Sequence, residues 1–177
     1  MMLEIVSAGF GGQGVLTTGL IIAKAAMNNG KNVTWIPSYG SEMRGGTANC
    51  NIKISDEEIA SPFVKKIDVL IAMNAPAIDK FEKNIKPGGT LIVNSSMVKD
   101  REYRDDIKVI KVPANDIANR ENNPKGINVV VLGAFVRATN ILDKDTFLKE
   151  IEDFFAAKGK INPANRICFE KGYELEY

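Results

Sequence analysis

A glycine-rich turn between an apolar strand and an apolar helix most constrains what this chain can fold into. Leu3–Ala8 is a short apolar run, GFGGQG occupies residues 9–14, and Val15–Met27 is apolar with helical spacing. This order predicts a strand, a tight turn and a helix. The glycines match G-x-G-x-x-G, so the first free amides of the helix could face a phosphate or another anion. The same turn could also serve only to pack the helix closely against a sheet.

The second predicted strand lacks the acidic residue that a dinucleotide site requires. Lys31–Ile36 reads as a strand, and the chain continues Pro37-Ser38-Tyr39 without Asp or Glu. In dinucleotide-binding Rossmann units, an acidic residue near the end of this strand binds the ribose hydroxyls. The first acidic residue here is Glu42, inside the following loop. The sequence therefore argues against NAD.

A second glycine-rich loop, SYGSEMRGG, occupies residues 38–46. Exposed loops on a rigid scaffold often carry binding groups. Glu42 and Arg44 could pair with each other, or Arg44 could hold a carboxylate or phosphate of a partner through two parallel hydrogen bonds. The alternative is a glycine-built turn with a solvated ion pair that contributes little.

The rest of the chain alternates between apolar strands and amphipathic helices. After a strand over Thr47–Ile54, the stretches DVLIAMNAPAIDKF and KPGGTLIVNSS repeat a strand–loop–helix–turn–strand order. This rhythm is typical of parallel α/β folds. We expect an α/β fold in which one domain over residues 1–177 contains a mostly parallel, Rossmann-like sheet flanked by helices. Cys50 falls on the apolar face of its strand, which favours a small core residue over a reactive thiol.

The composition excludes several classes of function. Of 177 residues, Lys and Arg contribute 23 and Asp and Glu 22, for a net charge of +1. No basic stripe stands out, so we expect neither a nucleic-acid partner nor an anionic membrane surface. No apolar run approaches the roughly 18 residues that span a bilayer. The N-terminal sequence enters a predicted strand directly without the pattern of an export signal, so we expect a cytoplasmic protein.

Two cysteines and no histidine limit the chemistry of this chain. Iron–sulfur clusters usually take four cysteines, and structural zinc takes four Cys or His ligands. We therefore expect no metal site. The absence of histidine also removes the commonest general base near neutral pH. The chain alone is a poor candidate for a catalyst, and we assign it no catalytic residue.

The two glycine-rich stretches together resemble the two motifs of the gamma subunit, or gamma domain, of 2-oxoacid:ferredoxin oxidoreductases. These stretches are GFGGQGV-TT and SYGSEMRGG. The resemblance extends across nearly the whole chain, including IDVLIAMN, KPGGTLIVNSS and NVVVLGA. Lys53, where the family often has Arg, is a mild departure. The matching residues are Gly9, Gly11, Gly12, Gln13 and Gly14 in the first motif and Tyr39, Gly40, Glu42, Arg44, Gly45 and Gly46 in the second.

The resemblance implies a division of labour within a complex. These enzymes oxidatively decarboxylate pyruvate, 2-oxoglutarate, branched-chain 2-oxoacids or indolepyruvate, form acyl-CoA and pass the electrons to ferredoxin. Thiamine diphosphate and magnesium bind to the alpha and beta subunits, and iron–sulfur clusters to beta and, where present, to delta. The gamma chain would be structural, with a candidate contact to coenzyme A, and would bind no cofactor alone. Isolated, it would expose interface surface, which favours self-association into a homodimer.

We expect both glycine-rich loops at the carboxyl edge of the sheet, where open α/β folds present ligand sites. There, Arg44 and the first loop would engage a partner chain or a phosphate of coenzyme A. Two alternatives stay open, a self-sufficient nucleotide-binding Rossmann-like oxidoreductase and a coenzyme-binding regulatory module. Tight ligand binding by the isolated chain would favour the latter.

Overall fold

The computed structural model describes residues 1–39 and 47–177, which form one α/β domain around a single sheet. The strands are β1 (Met2–Phe10), β2 (Asn32–Tyr39), β3 (Thr47–Ser55), β4 (Ile67–Ala72), β5 (Ile85–Asn94) and β6 (Lys108–Val112). The helices are α1 (Val15–Asn28), α2 (Ala75–Phe81), α3 (Ala114–Arg120), α4 (Ile127–Thr139), α5 (Lys144–Ala156) and α6 (Ala164–Tyr173). A short 3₁₀ turn, Glu82–Asn84, leads into β5.

The sheet is mostly parallel, with the strand order β2-β3-β1-β4-β5-β6. β1, β4, β5 and β6 pair in parallel, while β3 is antiparallel to both of its neighbours. β2 and β1 consequently run in the same direction on either side of β3. The predicted fold class is confirmed, and the antiparallel insertion of β3 between β1 and β2 is a feature that the sequence analysis did not assign.

Helices cover the two faces of the sheet unequally. The larger core cluster joins one face to residues of α1, α3, α4, α5 and α6, and the smaller cluster joins the other face to α2. Cys50, Ile52 and Ile54 of β3 all belong to the larger cluster, as their alternation predicted. Cys50 is fully buried, which confirms that it is a core residue, and this burial raises the pKa of its thiol to about 12.

α4 and α6 cross at very close range through two glycines. A Cβ atom placed on Gly172 would lie 1.9 Å from the carbonyl oxygen of Val130, and one on Gly133 would lie 2.1 Å from that of Phe169. No other residue type fits these positions without moving a helix backbone. The crossing fixes α6 against the core, where Phe169 stacks on Phe147 with ring centroids 6.3 Å apart.

The strand that the stretch KPGGTLIVNSS predicts after its KPGG turn is longer in the structure. β5 already begins at Ile85, which pairs with Ile67, and its register against β4 shifts between Ile67 and Val69. The predicted Lys86–Gly89 turn therefore lies within the strand as an irregularity, with Gly88 at φ +80°. Pairing with β4 extends the strand beyond what the local turn residues indicate.

No helix in the described part of the chain is both long and apolar enough to cross a bilayer.

Candidate functional site

The glycine-rich turn leaves β1 at the carboxyl edge of the sheet and leads into α1. Gly12 has φ +90° and Gly14 has φ +73°, a left-handed conformation that glycine adopts without strain. Gly14 is the N-cap of α1, and no side chain in residues 1–39 or 47–177 caps this helix end. The first N–H groups of an α-helix have no partner within the helix. These amides, together with the positive end of the helix dipole, are suited to an anionic group.

Gly9 lets the turn pack tightly against the sheet. A Cβ atom at this position would lie 2.7 Å from Oε1 of Gln13, 2.8 Å from Cγ2 of Val15 and 2.9 Å from Cβ of Met73. All three distances are shorter than real Cβ contacts allow. Gly9 therefore acts in packing, whereas Gly12 has open space around it.

The side chain of Gln13 connects the glycine-rich turn to the end of β4 through hydrogen bonds. Its Oε1 accepts hydrogen bonds from the backbone N–H of Phe10 at 2.7 Å and from Nδ2 of Asn74 at 3.2 Å. Its Nε2 donates to the carbonyl oxygen of Met73 at 3.3 Å. Asn74 in turn caps α2 by accepting from the N–H of Ala77 at 2.9 Å. Gln13 thus connects the ends of β1 and β4 and sets the shape of the turn.

We expect Gln13→Ala to lower the free energy of unfolding by about 2 kcal/mol, because it leaves the N–H of Phe10 and the amide of Asn74 without their acceptor. Urea unfolding of the full chain measures this loss. Gln13→Met, which keeps the volume of the side chain but has no amide, is the matched control and should lose nearly as much stability as Gln13→Ala. A methionine variant as stable as the wild type would contradict the anchoring role of the amide.

A cleft of about 580 Å³ opens beside the turn. Its walls come from the turn and α1, from the α3–α4 connection with the start of α4, and from the end of α5 with the segment that leads into α6. The lining residues are Gly12, Gly14, Thr17, Asn123, Lys125, Asn128, Phe154, Phe155, Lys158, Lys160, Ile161, Asn162 and Asn165. The cleft is large enough to take part of a drug-sized or nucleotide-sized ligand.

The charged side chains that line the cleft are cationic among the residues that the structure describes. They are Lys125, Lys158 and Lys160, and none of the described lining residues is acidic. None of the three lysines forms an ion pair with another described residue. Phe155 and the 79% exposed Ile161 add an apolar wall. This combination suits a ligand that carries phosphate groups together with a flat or apolar portion.

Asn128 adds a polar side chain that has no protein partner among the described residues. It lies at the start of α4, is only 8% exposed and lines the cleft next to Gly14. A Cβ atom on Gly14 would lie 3.4 Å from Nδ2 of Asn128, so the two residues are in contact range. Buried side-chain amides are normally hydrogen-bonded, and an amide without a protein partner at a cleft wall is available to a ligand.

Hydrogen bonds among three asparagines stabilise the wall of the cleft opposite to the glycine-rich turn. Nδ2 of Asn123 donates to Oδ1 of Asn165 at 2.8 Å, and Nδ2 of Asn162 donates to Oδ1 of Asn123 at 3.2 Å. Asn123 is 3% exposed and lies two residues before Lys125. The network therefore ties the loop that carries Lys125 to the segment that precedes α6.

The structure brings together only part of the predicted set. Gly12 and Gly14 line the cleft, whereas Gly9 and Gln13 support the turn from inside. Gly11 lies in the turn without lining the cleft. Tyr39 is the last residue of β2, while Gly40, Glu42, Arg44, Gly45 and Gly46, the other predicted residues of the second motif, lie outside the described residues.

The described strand ends flanking the second motif lie at the same sheet edge as the first. The register aligns the backbone of Tyr39 with Ala48, and that of Ala48 with Gly9. Phe10 pairs with Thr47, the first residue after the motif. The described strand ends on either side of the second motif therefore lie at the carboxyl edge. The placement of the second loop itself and the binding roles of both loops stay predictions.

The three lysines and Asn128 are not among the residues predicted from the sequence. Two signals point to three of these four residues: Lys158-Gly159-Lys160 places two cations around a helix stop, and Asn128 is a polar residue at the head of an apolar helix. Neither signal reveals that these segments meet the glycine-rich turn.

The family described as pyruvate ferredoxin/flavodoxin oxidoreductase matches residues 4–175. The chain belongs to this family. Among its curated relatives, the 2-oxoglutarate synthase subunit KorC of Methanocaldococcus jannaschii is 39% identical over 178 residues, covering 99% of this chain and 94% of the relative. The ketoisovalerate oxidoreductase subunit VorA of Methanothermobacter thermautotrophicus is 38% identical over 168 residues, or 94% of this chain. The chain spans about a third of the length of VorA, 35%.

Solved structures of family members have the same fold. The gamma subunit of a keto/oxoacid ferredoxin oxidoreductase from Geobacter sulfurreducens matches with a TM-score of 0.78 and 30% identity, covering 97% of this chain and 96% of that one. The 2-oxoglutarate:ferredoxin oxidoreductase of Magnetococcus marinus, solved with 2-oxoglutarate, coenzyme A and succinyl-CoA bound, matches with a TM-score of 0.85 and 27% identity. This match covers 97% of our chain and 30% of that longer chain.

Proposed function

We propose that this pyruvate ferredoxin/flavodoxin oxidoreductase family member is the gamma-type subunit of a 2-oxoacid:ferredoxin oxidoreductase. The observation that carries the proposal is the match with KorC over nearly the full length of both chains. In the assembled enzyme, a 2-oxoacid would be oxidatively decarboxylated to acyl-CoA, and the electrons would pass to ferredoxin. The alpha, beta and delta-type subunits would hold thiamine diphosphate, magnesium and the iron–sulfur clusters, so this chain would contribute to catalysis without a catalytic residue of its own.

The cleft beside the glycine-rich turn fits coenzyme A. Coenzyme A supplies the thiol that receives the acyl group, and it carries several phosphate groups and an adenine ring. The uncapped start of α1 and the three lysines Lys125, Lys158 and Lys160 would bind the phosphates. Asn128 would hydrogen-bond a polar group of the ligand, and Phe155 would contact an apolar portion. The coenzyme A that accompanies the Magnetococcus marinus enzyme supports this choice of ligand.

The second motif has a complementary role in the proposal. Tyr39, Gly40, Glu42, Arg44, Gly45 and Gly46 would face a partner chain or a phosphate of coenzyme A, because β1 and β2 end at the same edge of the sheet. For the substrate, we favour 2-oxoglutarate or a branched-chain 2-oxoacid over pyruvate, in keeping with the names of the relatives KorC and VorA. The cytoplasmic location and a homodimer of the isolated chain stay predictions.

The alternative, a stand-alone nucleotide- or coenzyme-binding Rossmann-like protein, has no support from these relatives. They are named as subunits of enzymes. The lack of an acidic residue in β2, Asn32–Tyr39, also weighs against a dinucleotide.

A pull-down of the tagged chain from its own host tests the proposal. We expect thiamine-binding and iron–sulfur partner chains in the eluate, together with reduction of a low-potential dye that requires both a 2-oxoacid and coenzyme A. The preferred 2-oxoacid identifies the enzyme. A chain that elutes alone and binds NAD or another nucleotide tightly would contradict the proposal.

A further inference from the structure

A basic groove lies at the amino edge of the parallel strands, opposite to the glycine-rich turn. It has a volume of about 520 Å³ and is bounded by the residues that precede β4, by the start of β5 and by the segment that precedes β6. Its lining residues are Lys65, Lys66, Lys83, Asn84, Ile85, Lys86, Pro87 and Arg104. Five of these side chains are cationic, and none is acidic.

Two of the cations are fixed and already paired. Nζ of Lys86 lies 2.9 Å from Oδ1 of Asp68 and 3.3 Å from Oε2 of Glu4. Arg104 forms a two-pronged pair with Asp106, with N–O distances of 2.8 and 2.6 Å, and donates to two backbone carbonyl oxygens at 2.8 Å. The inner wall of the groove is therefore rigid, and acidic neighbours largely balance its charge.

The other three cations are uncompensated. Lys65, Lys66 and Lys83 are exposed, and they form no ion pair with any residue in the described ranges 1–39 and 47–177. Three unpaired positive charges on one groove are a strong local excess in a chain whose net charge is only +1.

We propose that this groove docks an acidic segment of a partner protein, one that presents several Asp or Glu side chains. Charge complementarity carries the proposal, because three exposed lysines can pair with carboxylates spaced along a segment. A phosphate-rich partner fits less well. The guanidinium group of Arg104, the residue type best suited to bind phosphate through two hydrogen bonds, is engaged by Asp106 and by backbone carbonyls.

Binding of a fluorescein-labelled decaglutamate peptide to the full-length chain tests the groove. We expect saturable binding that weakens as salt is added. The triple reversal K65E/K66E/K83E should lower the affinity about tenfold, since it removes three exposed ion pairs. The matched control K99E/K144E/K171E makes the same change in net charge elsewhere and should retain the wild-type affinity. The charge-preserving variant K65R/K66R/K83R should also bind normally.

Three outcomes would overturn the proposal. In the first, the wild-type chain does not bind the peptide. In the second, the two triple reversals lose the same affinity. In the third, a DNA duplex displaces the peptide at a phosphate concentration lower than the concentration of peptide carboxylates. The last outcome would assign the groove to a nucleic acid. Near-UV circular dichroism checks that each variant is folded. If the triple variant misfolds, the single reversal Lys83→Glu replaces it in the test, with an expected loss of affinity for the peptide of about twofold. Coenzyme A takes no part in this experiment, so its result is independent of the proposed function.

Discussion

Replacing Gly12 with Asp should raise the KM for coenzyme A about 30-fold in an enzyme assembled with this chain. Gly12 lines the cleft and has φ +90°, and a Cβ atom added there would meet no atom of the described residues within 4 Å. A carboxylate at this position would repel the phosphate groups that the start of α1 is proposed to bind. At an effective dielectric constant between those of water and the protein interior, this repulsion is about 2 kcal/mol. Steady-state rates at varied coenzyme A concentration measure the change.

Gly12→Asn is the matched control for this variant. Asn has nearly the same shape as Asp and shares its tolerance of left-handed backbone, but it carries no charge. We expect the asparagine variant to change the KM for coenzyme A only a few-fold, and both variants to leave the KM for the 2-oxoacid unchanged. Equal effects of Asp and Asn would mean that shape rather than charge matters at Gly12, which would contradict an anion at this turn.

Replacing Gly172 with Ala should destabilise the full chain by about 3 kcal/mol, the upper end of the usual cost of overpacking. The added Cβ would lie 1.9 Å from the carbonyl oxygen of Val130, which belongs to a helix backbone and cannot rotate away as a side chain can. α6 would have to separate from α4. The midpoint and slope of urea unfolding give the free energy of unfolding of the variant.

Gly30→Ala is the control for the alanine substitution itself. Gly30 has φ +86°, and a Cβ atom there would meet no atom within 4 Å. This variant measures the backbone strain of a left-handed alanine alone, about 1 kcal/mol. A Gly172→Ala variant as stable as Gly30→Ala would show that α4 and α6 do not cross as closely as described.

The strand, turn and helix around Gly9–Gly14 could be predicted because the signals are local. Apolar runs, glycine spacing and helical periodicity act within neighbouring residues, and each has one consistent interpretation. The direction of β3 could also have been predicted. Only seven residues, 40–46, separate β2 from β3, whereas a parallel connection needs a crossover of a dozen residues or more.

The cleft could not be predicted in the same way. Gly12, Asn128 and Lys158 are far apart in the sequence, and they meet only because α1, α4 and α5 pack on one face of the sheet. Periodicity places Asn128 at the head of a buried helix but does not reveal that its amide has no hydrogen-bond partner among the described residues. The glycine motif likewise could not distinguish Gly9, which acts in packing, from Gly12, which faces the cleft.

Hydrogen–deuterium exchange of the assembled enzyme with and without coenzyme A tests the central claim most directly. If the cleft holds coenzyme A, the ligand should slow exchange of the amides at residues 11–17 and 158–162, because it contacts the turn and the segment opposite to it. The amino-edge segment at residues 83–87 serves as an internal reference and should exchange at the same rate in both states. Unchanged exchange at the turn, in an enzyme that still requires coenzyme A, would contradict the site.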